Sequence, residues 1–211
     1  MASEDSAFLI LHGWENFRPE GHWQYELARD LRALGRRVEY PQLPDASRPT
    51  VAGWASAVGR ALGELAAEGR TVAVVCHSLS ALLWLGANPD TTAVDRVLLV
   101  APPSPGFVSG IDAIAAFGAL PLRALAAGAP STLIVASDDD PYCPEGAEAA
   151  FGGPLGIPVI VIPGGGHLEL TAGYGHWPAL TAWCLDSEGE IVGRDAAAEP
   201  VAHRTRSVRQ H

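Results

Sequence analysis

Short runs of apolar, often β-branched residues alternate along this chain with longer segments in which apolar residues recur every three or four positions. Most of the short runs are apolar throughout, which is typical of parallel strands covered on both faces. The longer segments predict helices between the strands. Regular alternation of strand and helix predicts an α/β fold, a three-layer αβα sandwich around a mostly parallel six-stranded sheet. The predicted strands span 7–11, 37–40, 71–76, 96–100, 131–136 and 157–162, and the predicted helices span 22–34, 51–68, 79–86, 111–127, 145–151 and 177–184.

Breaks in these patterns mark the ends of the helices and of the domain. Gly35, Gly69 and Gly128 stand where helix C-caps are expected. With 211 residues, the chain is of a size for one domain with a substantial core. We expect a flexible N-terminus over 1–6, one domain over 7–186 and a disordered, polar C-terminal tail over 187–211.

Composition excludes several classes of protein. The formal net charge of −10 disfavours nucleic-acid binding, which requires clustered cations. All 14 lysine-plus-arginine positions are arginine, which excludes a lysine Schiff base and the lysine of a P-loop. The apolar run over 7–11 is too short for a signal peptide or a membrane span. Cys76, Cys143 and Cys184 are odd in number and far apart, which favours reduced thiols and a cytoplasmic location.

Ser78 is the predicted nucleophile. The strand predicted over 71–76 ends in His77-Ser78-Leu79, and a helical segment follows at once. A serine at a sharp strand-to-helix turn projects its hydroxyl beyond the sheet, as in the Gly-x-Ser-x-Gly nucleophile elbow. Here Cys76 and Ser80 replace the two glycines. The structural alternative is a serine that only caps the following helix.

A serine hydroxyl needs a base to remove its proton and an acid to orient that base, and both follow later strands. Three aspartates follow the strand over 131–136, and three glycines precede His167 after the strand over 157–162. We expect Asp140 to be the acid, because an Asp-x-x-x-Pro spacing is typical there, with Asp139 as the alternative. The alternative for Asp138 and Asp139 is that they cap the helix near Glu145 or face solvent. A phosphate cradle in the glycine run is disfavoured, because no helix N-terminus with cationic support follows.

Leu11-His12-Gly13-Trp14 follows the first strand and supplies a second loop at the same edge. The backbone N–H groups of Trp14 and Leu79 are the predicted donors of an oxyanion hole. The candidate substrate contacts are His12, Gly13, His22 and Trp23, with helix initiation and packing as the alternative for the last two. We predict no metal site, because no zinc-binding helix motif is present, and no cofactor.

The block from His12 to Gln24, together with His77-Ser78-Leu79, Asp140-Pro141 and Gly166-His167, resembles the retinoblastoma-binding protein nine / YdeN family of small serine hydrolases. The resemblance covers about residues 7–185. It implies a compact α/β-hydrolase with a triad of Ser78, Asp140 and His167.

We therefore expect a serine hydrolase acting on a small or medium carboxylic ester, thioester or amide. The apolar segment over 102–130 is the expected cover of its pocket. Two alternatives remain: a hydrolase-fold binding or scaffold protein with an idle triad, and a haloperoxidase-like or lyase activity on the same triad. Cys76 is disfavoured as a nucleophile, because its side chain should point into the sheet and a buried thiol is inert.

Overall fold

The computed structural model describes residues 6–87, 89–122, 129–186 and 189–194. Within them, six strands form one sheet in the order β2-β1-β3-β4-β5-β6, and every neighbouring pair is parallel. The strands are β1 (Ser6–Leu11), β2 (Arg37–Glu39), β3 (Thr71–His77), β4 (Val94–Val100), β5 (Ser131–Ser137) and β6 (Val159–Ile162). The helices are α1 (Trp23–Ala33), α2 (Val51–Ala67), α3 (Leu79–Ala87), α4 (Pro105–Ser109), α5 (Ala115–Gly118), α6 (Gly153–Leu155) and α7 (Pro178–Leu185).

The sheet is apolar on both faces because helices cover both. In β1, Leu9 and Leu11 pack with α2 and α3, whereas Phe8 and Ile10 pack with α1 and α7 on the opposite face. All four side chains are fully buried. Successive side chains of a strand point to opposite faces, so a strand between two helical layers needs apolar residues at every position. The predicted three-layer α/β fold with a six-stranded sheet is confirmed.

Side chains fix the starts of the two long helices. Nδ1 of His22 accepts a hydrogen bond from the Gln24 amide at the start of α1. Oγ1 of Thr50 accepts one from the Gly53 amide at the start of α2. Both bonds satisfy amide groups that have no acceptor inside a helix. Both helices lie within a residue or two of their predicted bounds.

Two predicted helices differ from the observed ones. The helix predicted over 111–127 was wrong: α4 begins earlier, where Ser104 caps it with Pro105 in the first turn, and the separate short helix α5 follows after Gly110. Residues 123–128, including the expected cap at Gly128, lie outside the described residues. The helix predicted over 145–151 instead begins after Gly146, as a π-helical turn over Glu148–Gly152 that runs into α6.

The end of the described chain packs against the sheet. Ile191 is buried, and the Trp177 indole N–H donates to the Val192 carbonyl oxygen. The prediction of a disordered tail therefore does not hold for residues 189–194, because the Ile191 side chain is buried in the core. The rest of the predicted tail lies outside the described residues, as does the predicted flexible N-terminus, apart from Ser6 in β1. No helix in the described ranges is both long enough and apolar enough to cross a membrane.

Candidate active site

Three polar side chains meet at the carboxyl edge of the sheet. Ser78 directly follows β3, Asp140 follows β5, and His167 lies in the loop after β6. Nε2 of His167 lies 2.9 Å from Oγ of Ser78. Nδ1 of His167 lies 2.9 Å and 3.1 Å from the two carboxylate oxygens of Asp140. An imidazole held by a carboxylate on one side and by a hydroxyl on the other can accept the hydroxyl proton and activate the oxygen as a nucleophile.

Ser78 sits at a strained turn. Its φ of 56° lies in the left-handed region, which residues with a side chain seldom adopt. The neighbouring Gly13 passes so close that a Cβ built on it would lie 2.8 Å from the Ser78 Cβ. Gly13 therefore lets the loop after β1 approach the serine more closely than any other residue would.

The two departures from the usual elbow pattern are accommodated in the fold. The Ser80 hydroxyl is fully buried and lies 2.9 Å from both the Leu11 and the His77 carbonyl oxygens, while the His77 amide donates to it. Cys76 is fully buried in the core on the α2 and α3 face, and burial raises the pKa of its thiol. Ser80 thus ties the elbow to β1, and Cys76 packs as a small apolar side chain.

The loop that carries His167 is held by the polar residues after β5. The amides of residues 164, 165 and 166 donate to Asp138, Ser137 and Asp139, at 2.8, 2.8 and 2.7 Å. The Ser137 hydroxyl also donates to Asp139, and these bonds lower the pKa of the Asp139 carboxyl. Asp138 and Asp139 therefore bind the glycine loop, whereas Asp140 faces the imidazole of His167. This pairing was not predicted from the sequence, although three acceptors and three glycine amides follow adjacent strands.

Two further side chains hold the backbone of the same loop. Nε2 of His77 lies 3.2 Å from the His167 carbonyl oxygen, and the Trp23 indole N–H donates to the Leu168 carbonyl oxygen at 2.8 Å. A carbonyl only accepts, so His77 carries its proton on Nε2. Burial, reinforced by the neighbouring His167 and His22, holds the pKa of His77 well below its usual value. His77 is thus a neutral donor that positions the His167 loop.

His12 sets the orientation of the peptide between Gly13 and Trp14. The Leu43 amide donates to Nε2 of His12, so the ring proton lies on Nδ1, which donates to the Gly13 carbonyl oxygen at 2.8 Å. In a trans peptide the N–H points away from the carbonyl, so the Trp14 N–H faces away from His12. No backbone acceptor for the Trp14 amide is found among the described residues. The Leu79 amide lies in the first turn of α3, where amide groups have no acceptor inside the helix. Both N–H groups can therefore donate to a bound oxygen atom.

A cavity of about 400 Å³ opens beside Ser78. Its wall is mostly apolar and aromatic, and Phe17, Phe107, Tyr142 and Leu170 are exposed at its rim. The expected cover after β4 contributes Pro103, Phe107, Val108, Ile111 and Ile114, whereas Phe117 packs into the core against Trp54. The other lining residues are Gly13, Trp14, Glu15, Asn16, Phe17, Pro19, His22, His77, Ser78, Leu79, Tyr142, His167, Glu169 and Leu170.

The four candidate substrate contacts divide into two pairs. Gly13 and His22 line this cavity, whereas His12 and Trp23 are buried away from its wall and bind backbone groups. The structure thus gives His12 and Trp23 positioning contacts in place of the expected substrate contacts. Asn16 and Glu169, which were not among the predicted substrate contacts, also line the wall. No group of three or more potential metal ligands occurs in the described parts of the chain.

Comparisons with solved structures place this fold among hydrolases. A YdeN-like hydrolase from Pectobacterium atrosepticum is 22% identical, with a TM-score of 0.66 over 87% of this chain and 91% of that one. The ydeN gene product of Bacillus subtilis is 17% identical, with a TM-score of 0.67 over 84% and 95%. An esterase domain from Rhodothermus marinus is 15% identical, with a TM-score of 0.57 over 84% and 85%. At these identities the similarity shows the α/β-hydrolase fold.

The family assignment rests on a match of the sequence and not on the fold alone. None of the curated proteins compared with this chain matches it. The family model described as "Serine hydrolase" matches residues 8–185, which include the strand ends bearing Ser78, Asp140 and His167. The resemblance to the YdeN group noted in the sequence is thereby confirmed, and this chain belongs to the serine hydrolase family.

Proposed function

We propose that this protein hydrolyses a small or medium carboxylic ester, with Ser78 as nucleophile, His167 as general base and acid, and Asp140 as the orienting acid. The observation that carries the proposal is the bridging position of His167, whose two ring nitrogens lie 2.9 Å from Ser78 Oγ and from Asp140 Oδ2. Thioesters and small amides react by the same chemistry and remain within the proposed substrate range.

The proposed reaction proceeds in two halves through an acyl-enzyme. The Ser78 oxygen attacks the ester carbonyl while its proton passes to Nε2 of His167, and the Asp140 carboxylate stabilises the resulting imidazolium. The intermediate then expels the alcohol, which takes the proton from His167. Water attacks the acyl-serine with His167 again as base, releasing the carboxylic acid and the free hydroxyl of Ser78.

The amides of Trp14 and Leu79 are the proposed oxyanion donors. They come from the loop after β1 and from the first residue of α3, on either side of the serine. Loss of one such donor typically lowers kcat by about a hundredfold to a thousandfold. Because His12 fixes the Gly13–Trp14 peptide, it positions one of the two donors without contacting substrate.

The wall of the cavity favours an apolar acyl or alcohol group of limited size. A volume of about 400 Å³ lies at the lower end of the range for small-molecule sites. We also infer a reducing, cytoplasmic location, which is supported by three buried, unpaired thiols. Burial raises the pKa of Cys143 and of Cys184 to about 12, which keeps both thiols protonated and unreactive.

A fluorophosphonate probe and a series of p-nitrophenyl esters of increasing acyl length test the proposal. We expect the probe to label Ser78, and Ser78→Ala to lose both labelling and ester turnover while its melting temperature is preserved. A native protein that neither labels nor turns over any ester, beside a reactive control esterase, supports the idle-triad alternative. Full turnover by Ser78→Ala excludes Ser78 as the nucleophile.

A further inference from the structure

The side chain of His22 directs an unused N–H group towards the cavity. His22 is only 3% exposed yet lines the cavity wall. Its Nδ1 accepts the Gln24 amide at the start of α1, at 3.2 Å. A ring nitrogen that accepts from an amide carries no proton, so the ring proton lies on Nε2. Burial, followed by the influence of His12 and His167, lowers the pKa of His22 to about 4, so the ring is neutral near pH 7.

Asn16 supplies a second hydrogen-bond donor beside the ring N–H of His22. Oδ1 of Asn16 accepts the Arg18 amide at 2.7 Å, which fixes the orientation of the Asn16 amide group. Nδ2 of Asn16 therefore points the other way and lies 3.5 Å from Nε2 of His22. Both atoms are hydrogen-bond donors, so they do not satisfy each other. Two N–H groups thus converge where the described chain supplies no acceptor, and a bound acceptor atom can satisfy both.

The charges of the wall select among possible acceptors. Glu15 and Glu169 line the same cavity, no arginine is found among its described lining residues, and the chain contains no lysine. A carboxylate or phosphate at the donor pair would meet no cation in the cavity lining, because the guanidinium of Arg18 is turned to Gln42 and to the Tyr40 carbonyl oxygen, and it would share the cavity with two carboxylates. A neutral oxygen, as in a ketone, ether or hydroxyl group, avoids that repulsion and still accepts both N–H groups.

We propose that Asn16 and His22 form a specificity subsite for a second, neutral acceptor oxygen of the substrate, distinct from the reacting carbonyl. The inference rests on the proposed ester hydrolysis at Ser78 and narrows its substrate class. Plain hydrocarbon esters offer neither donor an acceptor, and polar groups left without a partner on binding discriminate against ligands that lack the acceptor. The preferred substrates therefore carry a ketone, ether or hydroxyl oxygen in the acyl or the alcohol part.

The test uses pairs of esters in which an oxygen replaces one methylene group. The first two pairs are p-nitrophenyl methoxyacetate with p-nitrophenyl butyrate, and p-nitrophenyl ethoxyacetate with p-nitrophenyl pentanoate. The third pair is 2-methoxyethyl butyrate with butyl butyrate. For each pair, the ratio of kcat/KM for the oxygenated ester to that for the hydrocarbon ester is measured in wild type and in variants. Comparing the same ratio between proteins cancels the intrinsic reactivity of the esters. For at least one pair we expect the wild-type ratio to exceed the variant ratio about five- to tenfold.

Two variants remove the donor pair in different ways. Asn16→Asp keeps the acceptor for the Arg18 amide but replaces the second donor by an oxygen that can accept from Nε2 of His22. His22→Asn keeps a favourable N-cap for α1 and removes the ring N–H from the cavity. Thr171→Asp is the matched control for added charge, because it places a carboxylate near the cavity mouth beside Glu169 and removes no donor from the wall. We expect it to keep the wild-type ratio.

The outcomes separate this inference from the proposed function. Equal ratios in wild type and in both folded variants, for every pair, overturn the subsite. An equal fall in kcat for all esters also overturns it, because the donor pair would then act on the reacting carbonyl. Dissociation constants of the same ester pairs for Ser78→Ala, measured by nuclear magnetic resonance titration, test the preference without turnover. If Ser78 proves unreactive, a binding preference lost in Ser78→Ala/Asn16→Asp still supports the subsite, and equal binding of both esters refutes it.

Discussion

Acidification should destabilise this protein at moderately low pH, because three buried histidines are held neutral in the fold. His12 and His22 each have a pKa lowered from 6.5 to about 4, mainly by burial, and the pKa of His77 is lowered in the same direction. Each ring also uses an unprotonated nitrogen as an acceptor or keeps one buried without a partner. Protonation therefore breaks a native hydrogen bond of His12 or His22, and at His77 it places an unpaired charge in the core.

The structure sets the sign and the size of the effect. Between about pH 6.5 and pH 4 the unfolded chain binds protons at these histidines and the folded chain does not, so the free energy of unfolding falls as pH falls. A pKa difference of about 2.5 units corresponds to about 3 kcal/mol for each of His12 and His22. Together these two remove roughly 6–7 kcal/mol, which is comparable to the whole stability of a typical domain. His77 adds to the loss.

Urea denaturation at closely spaced pH values measures this directly. Each histidine should contribute a slope of about 1.4 kcal/mol per pH unit within the window. In His12→Gln the amide oxygen can still accept from the Leu43 amide but does not titrate, so we expect lower stability near pH 7 and a slope smaller by about one proton. Val58→Ala, a cavity variant in the core, should lower stability at every pH and keep the wild-type slope.

A free energy of unfolding that stays constant between pH 6.5 and pH 4 would refute the reasoning. So would a slope in His12→Gln equal to that of wild type, because the ring would then titrate alike in the folded and unfolded states.

Three further substitutions test the site. Gly13→Ala places a Cβ 2.8 Å from the Ser78 Cβ, so we expect kcat/KM for a p-nitrophenyl ester to fall about a hundredfold; an unchanged value would show that the loop is free to move. Asp139→Ala removes the acceptor of the Gly166 amide, so the loop that carries His167 is held less firmly and kcat should fall about tenfold with KM little changed. Asp90→Ala, a variant in an exposed turn, is the control and should match wild type. Ser80→Ala leaves buried backbone groups at the elbow without their partner, and urea denaturation should show a loss of about 1–3 kcal/mol; equal stability contradicts that role.

The sequence alone was sufficient to predict the fold and to predict which strands Ser78, Asp140 and His167 follow. Local patterns carry this information: the apolar runs of the strands, the periodic segments between them, and the abrupt turn at Ser78. Parallel strands place their carboxyl ends at one edge, so Asp140 and His167 could be placed near Ser78 without coordinates. The segment over 111–127 was mispredicted because apolar residues at helical spacing also occur in short helices and turns, and local cues such as Ser104 and Pro105 set the actual boundaries.

Only the tertiary structure decided which polar atoms face each other across the site. Residues 138, 139 and 140 are three consecutive aspartates, and their roles differ because each one accepts from a different donor in the loop after β6. The ring protons of His12 and His22 are likewise placed by backbone groups that contact them in the fold. A hydrogen bond depends on the direction and distance of two atoms, and residues far apart along the chain acquire these only when the sheet and its loops are assembled.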